Sequence, residues 1–174
     1  MNKDIKRIIN IFSRYIAILI LGAANLYIIY KVLTPLTIHV TNIILKIFAP
    51  TTLAGDIIHF QEATIQIAPA CVAGSAFYLL LALLLSIGNV KFQTRLKAIG
   101  TAVLILFVLN VARIIILAFL ITTSNFELIH WIFWHLVSTI FVVATYITTI
   151  KIYKIKSIPV YSDFKYIKGL TKKK

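Results

Sequence analysis

Between Lys97 and Glu127 the chain carries a single charged residue, Arg113, among aliphatic, aromatic and small side chains. A helix needs ~20 apolar residues at ~1.5 Å rise each to cross a bilayer, and this run exceeds that length. Three further uncharged runs stand out: Tyr15–Tyr30 with 16 residues, Ala63–Val90 with 28 and Leu128–Ile150 with 23. The first is closed by Arg14 and Lys31, whose long stems can snorkel outward and lengthen the usable stretch. In lipid the backbone must satisfy its own hydrogen bonds, so such runs are read as helices. Four spans are predicted, at about 10–32, 70–88, 98–121 and 130–150. No signal-peptide cleavage pattern follows the first, which is read as retained.

Composition points the same way. Of 174 residues 60% are apolar and 13% charged, too little polar surface to cover a small soluble globule. Six Gly, four Pro and one Cys exclude a collagen or a disulfide scaffold. The predicted class is an all-α integral membrane protein, one domain over residues 1–174, with a basic tail from 151 to 174. Its formal charge of +13 would suggest nucleic acid in a soluble chain. In a membrane protein such charge marks the cytoplasmic side, and no nucleic-acid partner is expected.

The stretch Val32–Pro50 repeats apolar residues at helical spacing, with threonines and Lys46 interspersed. Pro35, His39 and Lys46 make insertion costly, so an amphipathic helix lying on the outer membrane surface is predicted. With four spans and the N-terminus inside, fifteen of the eighteen Lys and Arg fall on the cytoplasmic side. Only Lys31 and Lys46 fall outside, with Arg113 inside a helix. A fifth span would reverse the last two basic segments, so the expected topology is N-in and C-in. Beyond the surface helix, Thr64–Ile67 alternates polar and apolar residues and suits a short strand. Asp56–Phe60 is expected to pair with it as a small hairpin on the outer face.

That topology places three residues at the outer membrane boundary. Cys71 opens the second span from outside. Arg113 lies roughly 12 Å below the outer end of the third, at ~1.5 Å per residue. His135 lies about one turn into the fourth. A thiol, a fixed cation and an imidazole are the parts of a cysteine nucleophile site. His130, nearer the surface, is expected to lie farther from the thiol than His135. Each residue also has a plain reading: a lone Cys is often a small buried hydrophobe, and a His beside Trp131 and Trp134 is often interfacial. Arg113 is different, because an Arg inside an apolar span costs ~2.5–3.5 kcal/mol and marks a pairing or functional role. No acidic residue lies within the four spans; Asp56, Glu62 or Glu127 would have to dip inward to pair with it. Asn110 shares its helix face and is placed to orient the guanidinium.

Other chemistries lack their signatures. His39, His59 and His130 complete the histidines, but no HxxxH or CxxC ligand spacing occurs. The patterns GxGxxG, GxxxxGK[ST] and GxSxG are absent, and no cofactor is expected. Lys172, Lys173 and Lys174 with the other tail lysines read as a solvated face against anionic lipid.

Three blocks carry a resemblance: Pro69-Ala70-Cys71-Val72-Ala73-Gly74, Asn110-Val111-Ala112-Arg113-Ile114, and His135-Leu136-Val137-Ser138 followed by Phe141. They are similar, in order and on three consecutive helices, to the signature blocks of the exosortase/archaeosortase family, over roughly residues 55–150. Many members carry Cys-Ser-Gly where this chain has Cys-Val-Ala-Gly, and the third site residue varies between His and Arg. The resemblance implies a membrane-embedded cysteine transpeptidase that acts on surface-protein precursors. Such precursors end in a short motif, a transmembrane helix and a basic cluster. The new C-terminus would pass to an anchor, with a membrane lipid the expected acceptor. By that similarity Cys71 is the nucleophile, Arg113 the second site residue and His135 the third, in a multi-pass cell-membrane protein whose site faces outward. Two readings stand beside it. One is a non-catalytic assembly factor or transporter subunit whose Arg113 binds a lipid phosphate; the other is a membrane cysteine protease that only hydrolyses.

Overall fold

A computed structural model describes residues 3–61 and 63–171. Its elements in chain order are helix α1 (Lys3–Phe48), strands β1 (Thr51–Ala54), β2 (Ile57–Phe60) and β3 (Ala63–Gln66), and helices α2 (Pro69–Val72), α3 (Gly74–Leu85) and α4 (Phe92–Leu120). Helix α5 (Phe126–Ile132) then runs through a π turn (Phe133–Val137) into α6 (Ser138–Ile152), and α7 (Tyr161–Thr171) closes the described chain. By length and composition three helical stretches can cross a membrane: Ile5–Phe48, Phe92–Leu120 and Phe126–Ile152. The second expected span is the shorter apolar stretch Pro69–Leu85, interrupted at Ala73. Large apolar side chains such as Leu19, Ile47, Leu104 and Ile140 are exposed around the bundle, as lipid-facing positions require.

The first helix departs from expectation. The break expected near Val32 lies instead at Ala23–Leu26, where Ala24, Asn25 and Leu26 take left-handed backbone angles. Pro35 sits inside the second arm without ending it. That arm is no separate surface helix: Leu33, Thr37, Ile38, Thr41 and Leu45 are buried against the bundle, while Val32, Leu36, Ile43 and Ile47 are exposed. Thr37 and Thr41 face inward beside three aliphatics, and the outward face is aliphatic too. The amphipathic template assumes water on the outer side, and this pattern inverts it.

The predicted hairpin is present as β2 paired with β3, with His59 opposite Thr64. A third strand, β1, extends it to an antiparallel sheet in the order β1-β2-β3, turning through Gly55 at φ +65°. Ile58 and Phe60 point inward and are fully buried. Phe60 and Phe48 each meet the ring of Phe119 edge-on at 5.3 Å, which seats the sheet on the C-terminal end of α4.

The opposite end gathers cations around the C-terminus of α3. Arg14 donates to the carbonyls of Leu85 (3.0 Å) and Ile87 (2.8 Å), and Arg95 also donates to Ile87 (2.7 Å). Arg14 further pairs with Asp163 of α7 at 2.6 Å, both side chains buried. The region expected to be a solvated tail therefore docks on the bundle in part; Lys172, Lys173 and Lys174 lie outside the described residues.

Candidate active site

Cys71 lies on α2, one helical turn opened by Pro69 and closed by Ala73 at φ 58°, ψ 38°. It therefore sits on a single turn and not at the N-terminus of a long helix, so a helix dipole does little for its thiolate. The left-handed Ala73 redirects the chain so that α3 begins at Gly74. Tyr30 packs closely over Gly74, where a Cβ would lie 2.6 Å from its ring. The thiol is half-buried, its Sγ 3.9 Å from the carbonyl of Gln66 at the end of β3.

Arg113 reaches this turn from the C-terminal half of α4 and is 5% exposed. Its Nη2 donates to the carbonyl of Cys71 at 3.1 Å and approaches that of Ala70 at 3.5 Å. Nη1 donates to the Ser138 hydroxyl at 2.6 Å. Ser138 in turn donates to the carbonyl of Phe133, within the π turn, at 3.0 Å. The guanidinium is thus held inside the protein by neutral oxygens. Asp56 instead accepts from Gln66, and Glu62 lies outside the described residues. Asn110 does not bond Arg113 as expected; its amide donates to the Cys71 carbonyl at 2.9 Å, so both side chains share that acceptor.

Two cavities flank this arrangement and share Ala70, Arg113 and Trp134. The smaller, of about 290 Å³, contains Cys71 and is walled by Thr64, Gln66, Phe126 and His130. The larger, of about 520 Å³, opens between α3 and α6, where Ser75, Ser138 and Thr139 face Leu79 and Val143. The smaller cavity can seat a peptide carbonyl against the thiol, with a cation beside it to meet negative charge.

The structure brings Cys71 and Arg113 together and does not bring His135 to them. His135 is exposed, its Nδ1 3.1 Å from the carbonyl of Trp131 and its ring 4.7 Å from both Trp131 and Trp134. The imidazole that walls the cavity with Cys71 is His130, expected to lie farther away. Sequence reasoning also gave no role to Ser138, although it stands three residues after His135 in the third block.

Residues 6–150 match the protein-family model described as transmembrane exosortase, a match that takes in α1 as well as the three blocks. No curated protein and no solved structure matches.

Proposed function

The chain belongs to the transmembrane exosortase family, and from that premise we propose that it is a membrane cysteine transpeptidase acting on C-terminal sorting signals. The observation that carries this reading is the joining of Cys71 and Arg113, distant in sequence, on one cavity through the hydrogen bond to the Cys71 carbonyl. Four crossings with both termini inside, and the site at the outer face of the cell membrane, complete it. The charge distribution supports that topology, and so does the gathering of Arg14, Arg95 and α7 at the end opposite the sheet.

The substrate is a surface-protein precursor whose C-terminal helix packs beside the bundle and delivers its motif to the small cavity. The Cys71 thiolate attacks the scissile carbonyl carbon, forming a C–S bond and a tetrahedral oxyanion. Arg113 stabilises that negative charge from a site shielded from bulk water, where a cation counts for more than in solution. Collapse breaks the C–N bond, and the leaving amine takes a proton from His135, assigned by its place in the third block. An acceptor amine or hydroxyl, proposed to come from a membrane lipid, then attacks the thioester. The C–S bond breaks, His135 recovers the proton and the thiolate is regenerated. An apolar, partly closed site favours such an acceptor over water.

The deciding experiment expresses the full chain with a precursor bearing the sorting signal. Cys71→Ala and Cys71→Ser should both accumulate uncleaved precursor, because an alkoxide is much harder to generate than a thiolate at neutral pH. Mass spectrometry of the product's new C-terminus then separates transfer from hydrolysis. Normal processing by Cys71→Ala would exclude cysteine catalysis.

A further inference from the structure

The helix from Phe126 to Ile152 is not α-helical throughout. At Phe133–Val137 it forms a π turn in which the Ser138 amide donates to the Phe133 carbonyl, five residues back. Such a turn holds one residue more than the α-helix that would replace it. Everything before it is therefore displaced by one residue, ~100° of rotation and ~1.5 Å of rise relative to α6. If the turn relaxes to α-geometry while α6 stays fixed, the Ser138 amide passes from the Phe133 to the Trp134 carbonyl, and each place held by residue n before the turn and in its first half passes to residue n+1. The place of Trp134, which walls both cavities beside Arg113, passes to His135, and that of His130 passes to Trp131.

Two features make this shift accessible. Neither α5 nor the π turn contains a buried residue, so little packing resists rotation. Upstream, residues 121–125 form a polar turn that can take up the slack. One feature holds it in check: Ser138 accepts from Arg113 at 2.6 Å and donates to the Phe133 carbonyl at 3.0 Å. A hydroxyl that accepts from a guanidinium is a stronger donor, so Arg113 reinforces the bond that fastens the π turn.

We propose that Ser138 is a positioning residue that clamps a one-residue register shift in this helix, and that release of the clamp carries His135 into the wall of the Cys71 cavity in place of Trp134. Release follows from charge. An anion beside Cys71, whether thiolate or oxyanion, competes for the Arg113 donors, and a bond between opposite charges outweighs one from the same guanidinium to a neutral hydroxyl. The imidazole thus arrives when negative charge has formed. The catalytic meaning of the shift rests on the transpeptidase reading; the shift itself does not, and is tested without turnover.

Cys71 is the chain's only cysteine, so one added thiol reports its own distance from it. His130→Cys and His135→Cys are prepared separately in the full chain, in vesicles, and treated with a short bifunctional methanethiosulfonate. With Ser138 present, Cys71 should bridge readily to position 130 and slowly to position 135. Ser138→Ala should raise the ratio of bridging at 135 to bridging at 130 about tenfold, mostly through a gain at 135, as loss of one hydrogen bond to a charged group implies. Ser138→Thr keeps the hydroxyl and should keep the parent pattern. Bridging to 135 that is unmoved by Ser138→Ala, or that already equals bridging to 130 with Ser138 intact, overturns the proposal. If Ser138→Ala does not fold, deletion of the exposed Leu136 gives an independent answer. It removes the surplus residue with α5 oriented as found, so bridging to 130 persists and slow bridging to 135 disappears. Survival of the 135 bridge in that deletion overturns the shift.

Discussion

Arg113 donates to the backbone carbonyl of Cys71, not to its sulfur, at 3.1 Å. The cation therefore fixes the nucleophile's own turn, while Asn110 holds the same oxygen from the same helix face. That turn is one helical turn long and ends in a left-handed alanine, so it has little secondary structure of its own to keep it in place. Arg113 joins it to α6 through Ser138, and three elements meet at one guanidinium. Such buried, inward bonding is at odds with an arginine displayed to a lipid phosphate.

Arg113→Lys tests this joint. A single ammonium cannot span the Ser138 hydroxyl and the Cys71 carbonyl in the geometry of a planar fork. Precursor processing should fall about 100-fold, the scale of losing a transition-state donor. Cys71 should remain reactive to a thiol reagent in membranes, which separates this loss from misfolding. Processing within a factor of about two of the parent would show that charge alone suffices.

His135→Gln and His130→Ala distinguish the two imidazoles. Removal of the proton carrier should lower processing by about 100-fold or more, the usual range for general acid–base catalysis. That loss is expected at His135, with His130→Ala close to the parent. The opposite ranking would transfer the proton to His130 and remove the need for a register shift.

The contrast between those histidines shows what sequence reading reaches here and where it stops. Arg113 is legible because a lone cation in an apolar run is costly, and Cys71 because the signature block surrounds it. Depth counting for His135 and His130 assumes an unbroken α-helix. The π turn adds a residue that no Gly or Pro announces, and it reverses which imidazole faces the thiol. The β2–β3 ladder follows from alternation at Thr64–Ile67, whereas Thr51–Ala54 runs two polar residues and then two apolar ones, with no alternation to betray β1. Thr37 and Thr41 mislead for a physical reason: outside this bundle is lipid, so moderately polar side chains belong inside.

An impermeant maleimide added to intact cells should label Cys71, since the thiol is half-buried beside an open cavity on the proposed outer face. A reporter fused after the C-terminus should be active only in the cytoplasm. Labelling that requires permeabilised cells, with a reporter active outside, would invert the topology.

Gly74→Ala should disturb the larger cavity through Tyr30. The added Cβ would lie 2.6 Å from Cζ and 2.9 Å from the hydroxyl oxygen of that ring, so the ring has to move. Overpacking of this kind costs about 1–3 kcal/mol, readable as a lower Tm in detergent. Tyr30→Leu in the same chain removes the clash and should restore most of the loss. A double variant no more stable than Gly74→Ala alone would place the strain elsewhere.

Asp163→Ala probes the other end of the bundle. Arg14 and Asp163 are 5% and 4% exposed at 2.6 Å, so removing the carboxylate leaves a buried guanidinium with backbone carbonyls alone. Breaking a buried pair from one side costs about 3–5 kcal/mol, and the retained carbonyl bonds to Leu85 and Ile87 put the expectation at the lower figure. The loss should appear first in α7, which is tied to the bundle by this pair and by the bond from the Gly88 amide to Ser162. Trypsin added to inside-out vesicles should then cut at Lys165 faster than in the parent, while Cys71 labelling and precursor processing remain near parental levels. Asp163→Asn keeps an acceptor of the same shape and should give a smaller effect. Equal cleavage in all three chains would mean that α7 is held by its other contacts and not by the ion pair.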